Sequence, residues 1–198
     1  FVTHRKDTRE RLIDGAYRLA LRKGFDRTSV REVISEVGVQ RGSLYHYFPG
    51  KDDLGLAVLE RDRVEFMRLL DSALSRPGDA AKVLKGFFNT ALKKQRETGF
   101  VGGCLWGNTA LEMSDTNPAY AKLVGEVFDE WRARVEAVIH RGQAEGAFRA
   151  DVEAGDLARL VVAGMEGGIM MSRLTKSPRP FKTCLNTLKS CLTNHAAT

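Results

Sequence analysis

The 198-residue chain is predicted to be all-α, with a small three-helix N-terminal domain followed by a larger helical one. Three observations predict this. Apolar residues recur at helical spacing in every long stretch. Glycine, proline and capping residues fall between those stretches, where helices stop and start. No segment shows the period-two alternation of a strand, and no internal repeat is present.

Taken in order, Leu12, Ile13, Ala16, Tyr17 and Ala20 form one apolar stripe. Gly24 stops that helix, with Phe25 placed to fold back on its last turn. Ser29-Val30-Arg31-Glu32 is a capping box that opens a second helix with Val30, Val33, Ile34 and Val37 on its buried face. Gly38 ends it. A short, aromatic-rich third helix follows from about Arg41 to Tyr47, closed by Pro49-Gly50. Asp52 and Asp53 then sit in the first turn of a long helix, where negative charge complements the dipole. Pro77-Gly78 with Asp79 as N-cap starts the next, and Gly99 to Gly103 is a glycine-rich break. Asn117-Pro118 opens a long helix through Trp131 to about His140. Beyond a break at Gly146 to Asp151, a helix near Val152 to Arg173 leads to Ser177-Pro178-Arg179-Pro180 and a last helix to about Asn194. The domain division is expected at 1–51 and 52–198.

Composition narrows the function classes. Hydrophobic content of 43% and charged content of 28% allow a real core and exclude a disordered chain. No apolar run approaches the roughly 18 residues of a spanning helix. The best one, Leu157 to Met171, is broken by Arg159 and Glu166. The opening Phe1-Val2-Thr3-His4-Arg5-Lys6 leads into no signal-peptide core, so a cytoplasmic protein without membrane partners is expected. Cys104, Cys184 and Cys191 are odd in number and at no metal-like spacing, and the four histidines are scattered, so neither a disulfide framework, a metal site nor a cofactor is implied. There is no phosphate loop or serine-nucleophile elbow, and nothing holds Cys104 and His140 together as nucleophile and base; an enzyme is not expected. The net charge of +6 is concentrated, since residues 1–51 hold 11 Lys/Arg against 6 Asp/Glu and the remainder 20 against 19. The positive excess lies where a phosphate footprint would be wanted, although solvated helices carry such an excess too.

Ser29 to Tyr47 reads as a helix-turn-helix, two short helices joined by a tight turn that begins with Gly38. Val33, Ile34 and Val37 pack the first helix across the second, with Val39 and Leu44 in the angle between them. The second helix then projects Gln40, Arg41, Ser43, Tyr45 and His46 as a ridge that fits the major groove. Arg41 has the donor fork for guanine O6 and N7, Gln40 can read adenine or touch backbone, and Gly42 permits close approach.

The run Gly38-Val39-Gln40-Arg41-Gly42-Ser43-Leu44-Tyr45-His46-Tyr47-Phe48-Pro49-Gly50-Lys51 resembles the DNA-binding signature of the tetracycline-repressor (TetR) family. Gly24-Phe25 followed by Thr28-Ser29-Val30-Arg31-Glu32-Val33 resembles it too, so the likeness covers about residues 5 to 55. It implies a helix-turn-helix DNA-binding domain joined to a helical ligand-binding and dimerisation domain, working as a homodimer on palindromic double-stranded operator DNA. By resemblance, Thr28, Ser29, Tyr45, Tyr47 and Lys51 hold phosphates, while Arg31, Arg41, Gly42, Ser43, Tyr45 and His46 face bases. Gln40 departs from the pattern, standing where the family commonly has a small N-capping residue. Either the first turn is weakened, or the side chain is recruited to DNA.

The resemblance further implies a small-molecule inducer held among the central helices. Phe88, Leu92, Phe100, Trp106, Leu111, Phe128, Trp131 and Met165 are the apolar candidates, open equally to an ordinary core role. Asn108, Glu112 and Glu166 interrupt apolar helix stretches, either to orient a ligand or as solvated or capping groups. Gly103-Cys104-Leu105-Trp106-Gly107-Asn108 resembles a Gly-Cys-Leu-x-Gly-Asn segment of a subgroup that includes electrophile-responsive regulators. Cys104 is thus open to two readings, a sensor thiol near a helix N-terminus or a buried structural cysteine. For the dimer, Gly164, Gly167 and Gly168 beside Ala163 suggest close helix contact, and Leu185, Leu188 and Leu192 give the last helix an apolar face. Packing within one chain is the alternative cover for both.

Overall fold

The computed structural model describes residues 7–193, and among these it contains nine α-helices and no strand. They are α1 (Thr8–Lys23), α2 (Val30–Val37), α3 (Arg41–Tyr47), α4 (Lys51–Leu74), α5 (Ala80–Glu97), α6 (Leu105–Met113), α7 (Pro118–Ala144), α8 (Ala154–Thr175) and α9 (Arg179–Leu192). The expected all-α class is the observed one. Asn194, where the sequence puts the end of the last helix, lies outside the described residues. None of the helices is long and apolar enough to cross a membrane.

The helices form two compact units. One takes the chain up to Val64 together with Leu105–Val124; the other takes Glu65–Cys104 and the chain from Gly125 onward.

In the first unit, Leu12, Ile13 and Ala16 of α1 are buried with Phe25, Val33, Leu44, Phe48, Leu54, Val58 and Leu59. α2 starts at a complete capping box. The Ser29 hydroxyl accepts from the Glu32 N–H at 3.2 Å, and Glu32 Oε2 accepts from the Ser29 N–H at 2.9 Å. Gly38, at φ 68°, adopts the left-handed turn that ends α2. Carboxylates of α2 draw in the cations of α1: Glu36 accepts from Arg18 at 3.1 Å and from Arg22 at 3.3 Å, and Glu32 pairs with Lys23. The Lys23 ammonium, then the Ser29 donors, hold the Glu32 carboxyl down at about 2.

The same unit includes α6 and the start of α7. Glu112 of α6 accepts from the backbone N–H of Phe25 at 2.8 Å and of Asp26 at 3.3 Å. Tyr120 of α7 meets the Phe25 ring edge-on with centroids 5.6 Å apart and donates to the Asp52 carbonyl at 3.4 Å. Asn117 donates to the Asp52 carboxylate at 3.2 Å. Two glycines make room for these contacts. A Cβ on Gly24 would lie 2.0 Å from Glu112 Oε1, and one on Gly55 would lie 1.8 Å from Tyr120 Oη. The carboxylate thus requires the bare Gly24 as much as the helix stop does.

The second unit has its own core, in which Leu70, Phe87, Phe88, Trp131, Val135, Ile139, Met165 and Phe181 are buried. α8 and α9 pack on each other. A Cβ on Gly168 would meet Phe181 at 2.8 Å, and one on Gly164 would meet Leu188 at 3.0 Å. Ser172 Oγ accepts from the Phe181 N–H at 2.9 Å inside this contact. The break after α5 is sharply wound, with positive φ at Gly99, Phe100, Gly102 and Gly103. Burial of the Phe100 ring and a 3.2 Å hydrogen bond from Lys176 to its carbonyl hold this segment. α7 runs on to Ala144 rather than stopping near His140, with Gly142 buried close against Phe148 in that last stretch.

Gly55→Ala should lower the stability of the chain by about 1–3 kcal/mol in denaturant unfolding, since the new methyl meets the Tyr120 hydroxyl. The same substitution in a Tyr120→Phe background should cost measurably less. Equal losses in the two backgrounds would show that the Gly55–Tyr120 approach is not what limits this position.

Candidate nucleic-acid interface and ligand site

Of the residues expected to pack the helix-turn-helix, Val33 and Leu44 are buried, Ile34, Val37 and Val39 are half-buried, and Val37 lies against Gly15 of α1. Leu44 of α3 and Val33 of α2 are fully buried, and Phe48 is buried just past the helix. With its inner face fixed in this way, α3 leaves Gln40, Arg41, Gly42, Tyr45 and His46 exposed and Ser43 half-buried. Gln40 stands at the N-cap but its side chain makes no capping hydrogen bond. Its amide is therefore available for another partner. The Arg41 guanidinium lies 5.4 Å over the Tyr45 ring and donates to its hydroxyl at 3.4 Å, so the two side chains are held together. Around Gly42 a Cβ would meet nothing within 4 Å, which leaves open space on the outer surface.

The residues expected at phosphates are less uniform. Ser29 is exposed, although its hydroxyl is engaged in the capping box. Thr28 is buried and donates to the Gly24 carbonyl at 2.6 Å, so here it braces the turn. Tyr47 is half-buried, packs edge-on with His46 and donates to Asp7 at 3.4 Å. Lys51 donates to the Asp26 carbonyl at 2.7 Å. Arg31 projects from the exposed side of α2.

The ligand candidates divide between the units. Trp106, Asn108, Leu111 and Glu112 belong with the head, whereas Phe88, Leu92, Phe100, Cys104, Phe128, Trp131, Met165 and Glu166 belong to the second unit. Glu112, expected among ligand-orienting groups, instead caps the Phe25 and Asp26 amides, and Leu111 is 85% exposed. In the second unit Phe128 stacks on Trp131 at 5.9 Å and Phe66 meets Trp131 edge-on at 5.4 Å. Cys104 donates to Glu166, whose other oxygen, Oε1, is buried without a hydrogen-bond partner among the described residues. Burial pushes the Glu166 carboxyl up to about 7, against which the Cys104 hydrogen bond pulls only weakly. A carboxyl neighbour is the opposite of what a sensor thiolate needs.

For the dimer residues, Leu185, Leu188 and Leu192 are buried by their own chain, and Gly164 and Gly168 face α9. Intrachain packing therefore accounts for these five. Gly167 has no such neighbour, since a Cβ there would meet nothing within 4 Å. It lies on an outer α8 stripe with Leu160, Ala163, Met170, Met171 and Leu174, all exposed, Leu174 at 83%. The sequence reading missed this stripe because it weighed the glycines and not the apolar residues spaced between them.

Comparison with known proteins agrees with this arrangement. Residues 12–58 match the model described as bacterial regulatory proteins, tetR family, and residues 80–188 match that of the tetracyclin repressor-like C-terminal domain. The transcriptional regulator AcuR of Cereibacter sphaeroides is 34% identical over 83% of this chain and 76% of its own length. The Escherichia coli repressor NemR is 24% identical over 96% of each. The crystal structure of a regulatory protein TetR from Rhodobacter sphaeroides superposes with a TM-score of 0.87 at 30% identity, covering 93% of this chain and 98% of that one.

The buried Glu166 makes a pH-dependent prediction. Its folded-state value of about 7 lies above the ordinary 4.5, so the fold holds this proton more tightly than the unfolded chain does. The corresponding stability is fully present below 4.5 and is lost as pH rises through 7. Glu166→Gln should therefore gain stability relative to the parent between pH 5 and pH 8, by a few kcal/mol at most, at about 1.4 kcal/mol per pKa unit. Denaturant unfolding at the two pH values measures it, and a pH-independent difference would contradict it.

Proposed function

The chain belongs to the tetR family of bacterial regulatory proteins, and from that premise we propose that it is a cytoplasmic repressor released from DNA by a small-molecule inducer. The observation that carries this is α3, whose polar ridge of Gln40, Arg41, Tyr45 and His46 stands exposed on a closed apolar core. Its Arg41 fork suits guanine in the major groove, with Gln40 beside it for adenine or backbone. Arg31, Ser43 and Gly42 complete the base-facing set, and Ser29, Tyr47 and Lys51 the phosphate-facing set, with Thr28 supporting them from behind.

Two heads on a palindrome require a dimer. The outer α8 stripe from Leu160 to Leu174 supports one, because its exposed apolar positions repeat every three to four residues as in helix pairing. We place the partner's α8 there. Induction works through a difference in ligand affinity between the DNA-bound and released states. α4 is continuous through both units, and its Asp52 is held by Asn117 and Tyr120 of α7. Movement of α4 on ligand binding would thus carry the heads out of register with successive grooves. The Gly103-Cys104-Leu105 segment suggests the subgroup already noted, but the carboxyl beside Cys104 favours a non-covalent inducer over a thiol sensor.

Selection from a random DNA library should yield a palindrome. On it, Arg41→Ala should cost about 1–3 kcal/mol and relax preference at one base position per half-site. Lys51→Ala should weaken all sequences alike and reduce the salt slope by about one. Failure to enrich any sequence would sink the proposal. Met170→Glu with Leu174→Lys should give a folded monomer in sedimentation that has lost the palindrome; a dimer persisting at micromolar concentration would move the interface elsewhere.

A further inference from the structure

Glu166 is the one described carboxylate with a buried oxygen that no group satisfies. Among the described residues its hydrogen bond comes from the Cys104 thiol, a weak donor, and no ion pair with a described cation supports it. On the same face of α8, Val162 and Ile169 at i−4 and i+3 are buried while Ala163 and Met170 at i−3 and i+4 are exposed, so Glu166 stands at the edge of the core with its Oε1 turned inward out of solvent. An unpaired buried acceptor is destabilising and persists where some other role requires it. The core that contains these residues also carries the Phe66–Trp131–Phe128 aromatic group, whose ring faces attract positive charge. A buried carboxylate and aromatic faces within one apolar core are the elements that recognise an organic cation. They repel an organic anion.

We propose that Glu166 receives the ammonium end of a small organic cation, with the N–H donated to Oε1 and the apolar body against the core of the second unit. This rests on the reading of the chain as an effector-released regulator and names the chemical class of the effector. Binding leaves the carboxyl ionised and paired, and in the unoccupied protein the same group is a buried acceptor with half its valence unmet.

The test uses the full chain and four probes: butylammonium, benzylammonium, benzyl alcohol and benzoate. Calorimetric titration and thermal shift are read for the parent, Glu166→Gln and Glu166→Asp. Gln keeps the shape and removes the buried charge, so folding is not endangered. The expected result is saturable binding of one or both ammonium ions, near one per chain, with little or none of the alcohol or benzoate. Glu166→Gln should weaken it about tenfold or more, and Glu166→Asp should retain part of it. Benzyl alcohol or benzoate binding as well as the ammonium ions would overturn the proposal, as would undiminished binding by Glu166→Gln. No ammonium binding by the parent would also overturn it, leaving Glu166 a protonated core carboxyl. Palindrome binding is measured on the same preparations, so a regulator with a different effector is distinguished from a protein that does not regulate.

Discussion

The Glu112 carboxylate at the turn after α1 is the constraint on which the head depends. By accepting from two successive backbone amides it satisfies donors of the loop that follows α1, and it ties α6 to the loop from which α2 begins. Gly24 has to be bare for this to happen. Thr28 and Lys51 brace the same loop through the Gly24 and Asp26 carbonyls. A rigid loop fixes α2, and α2 fixes the angle at which α3 meets DNA. Residues far apart in the chain therefore determine the orientation of the recognition helix.

Most of the head was readable from the sequence because its determinants are local. The capping box at Ser29, the left-handed Gly38 and the span Arg41–Tyr47 all depend on residues within one or two turns of each other. The helical breaks at Pro77-Gly78, Gly99 and Gly146 were readable for the same reason. Glu112 was not. Its partners are backbone amides 86 and 87 residues away, and backbone amides leave no mark in side-chain pattern. The small residues of α8 were a partial reading. Gly164 and Gly168 do signal close helix contact, but the pattern cannot name the partner, and α9 of the same chain fills the place.

Between them, α8 and α9 show how one helix serves two surfaces. The inner side of α8 carries Gly164, Gly168 and Ser172 so that Phe181 and Leu188 can approach. The outer side carries Leu160, Met170 and Leu174, which the described chain leaves exposed. Glu166 stands at the border between them, and the unmet Oε1 is a local conflict between chemistry and packing, of the kind that marks a site rather than a scaffold.

The pairing of α1 with α2 bears on how the protein finds its target. Arg18, Arg22 and Lys23 already face Glu36 and Glu32, so the count of basic residues in the head overstates the number of phosphates it neutralises. On the proposed reading of the head as a DNA reader, few counterions would be released on arbitrary DNA, and dwell time on a random stretch of chromosome would be short. Such a protein would turn over quickly among wrong sites and remain only where base edges hold it.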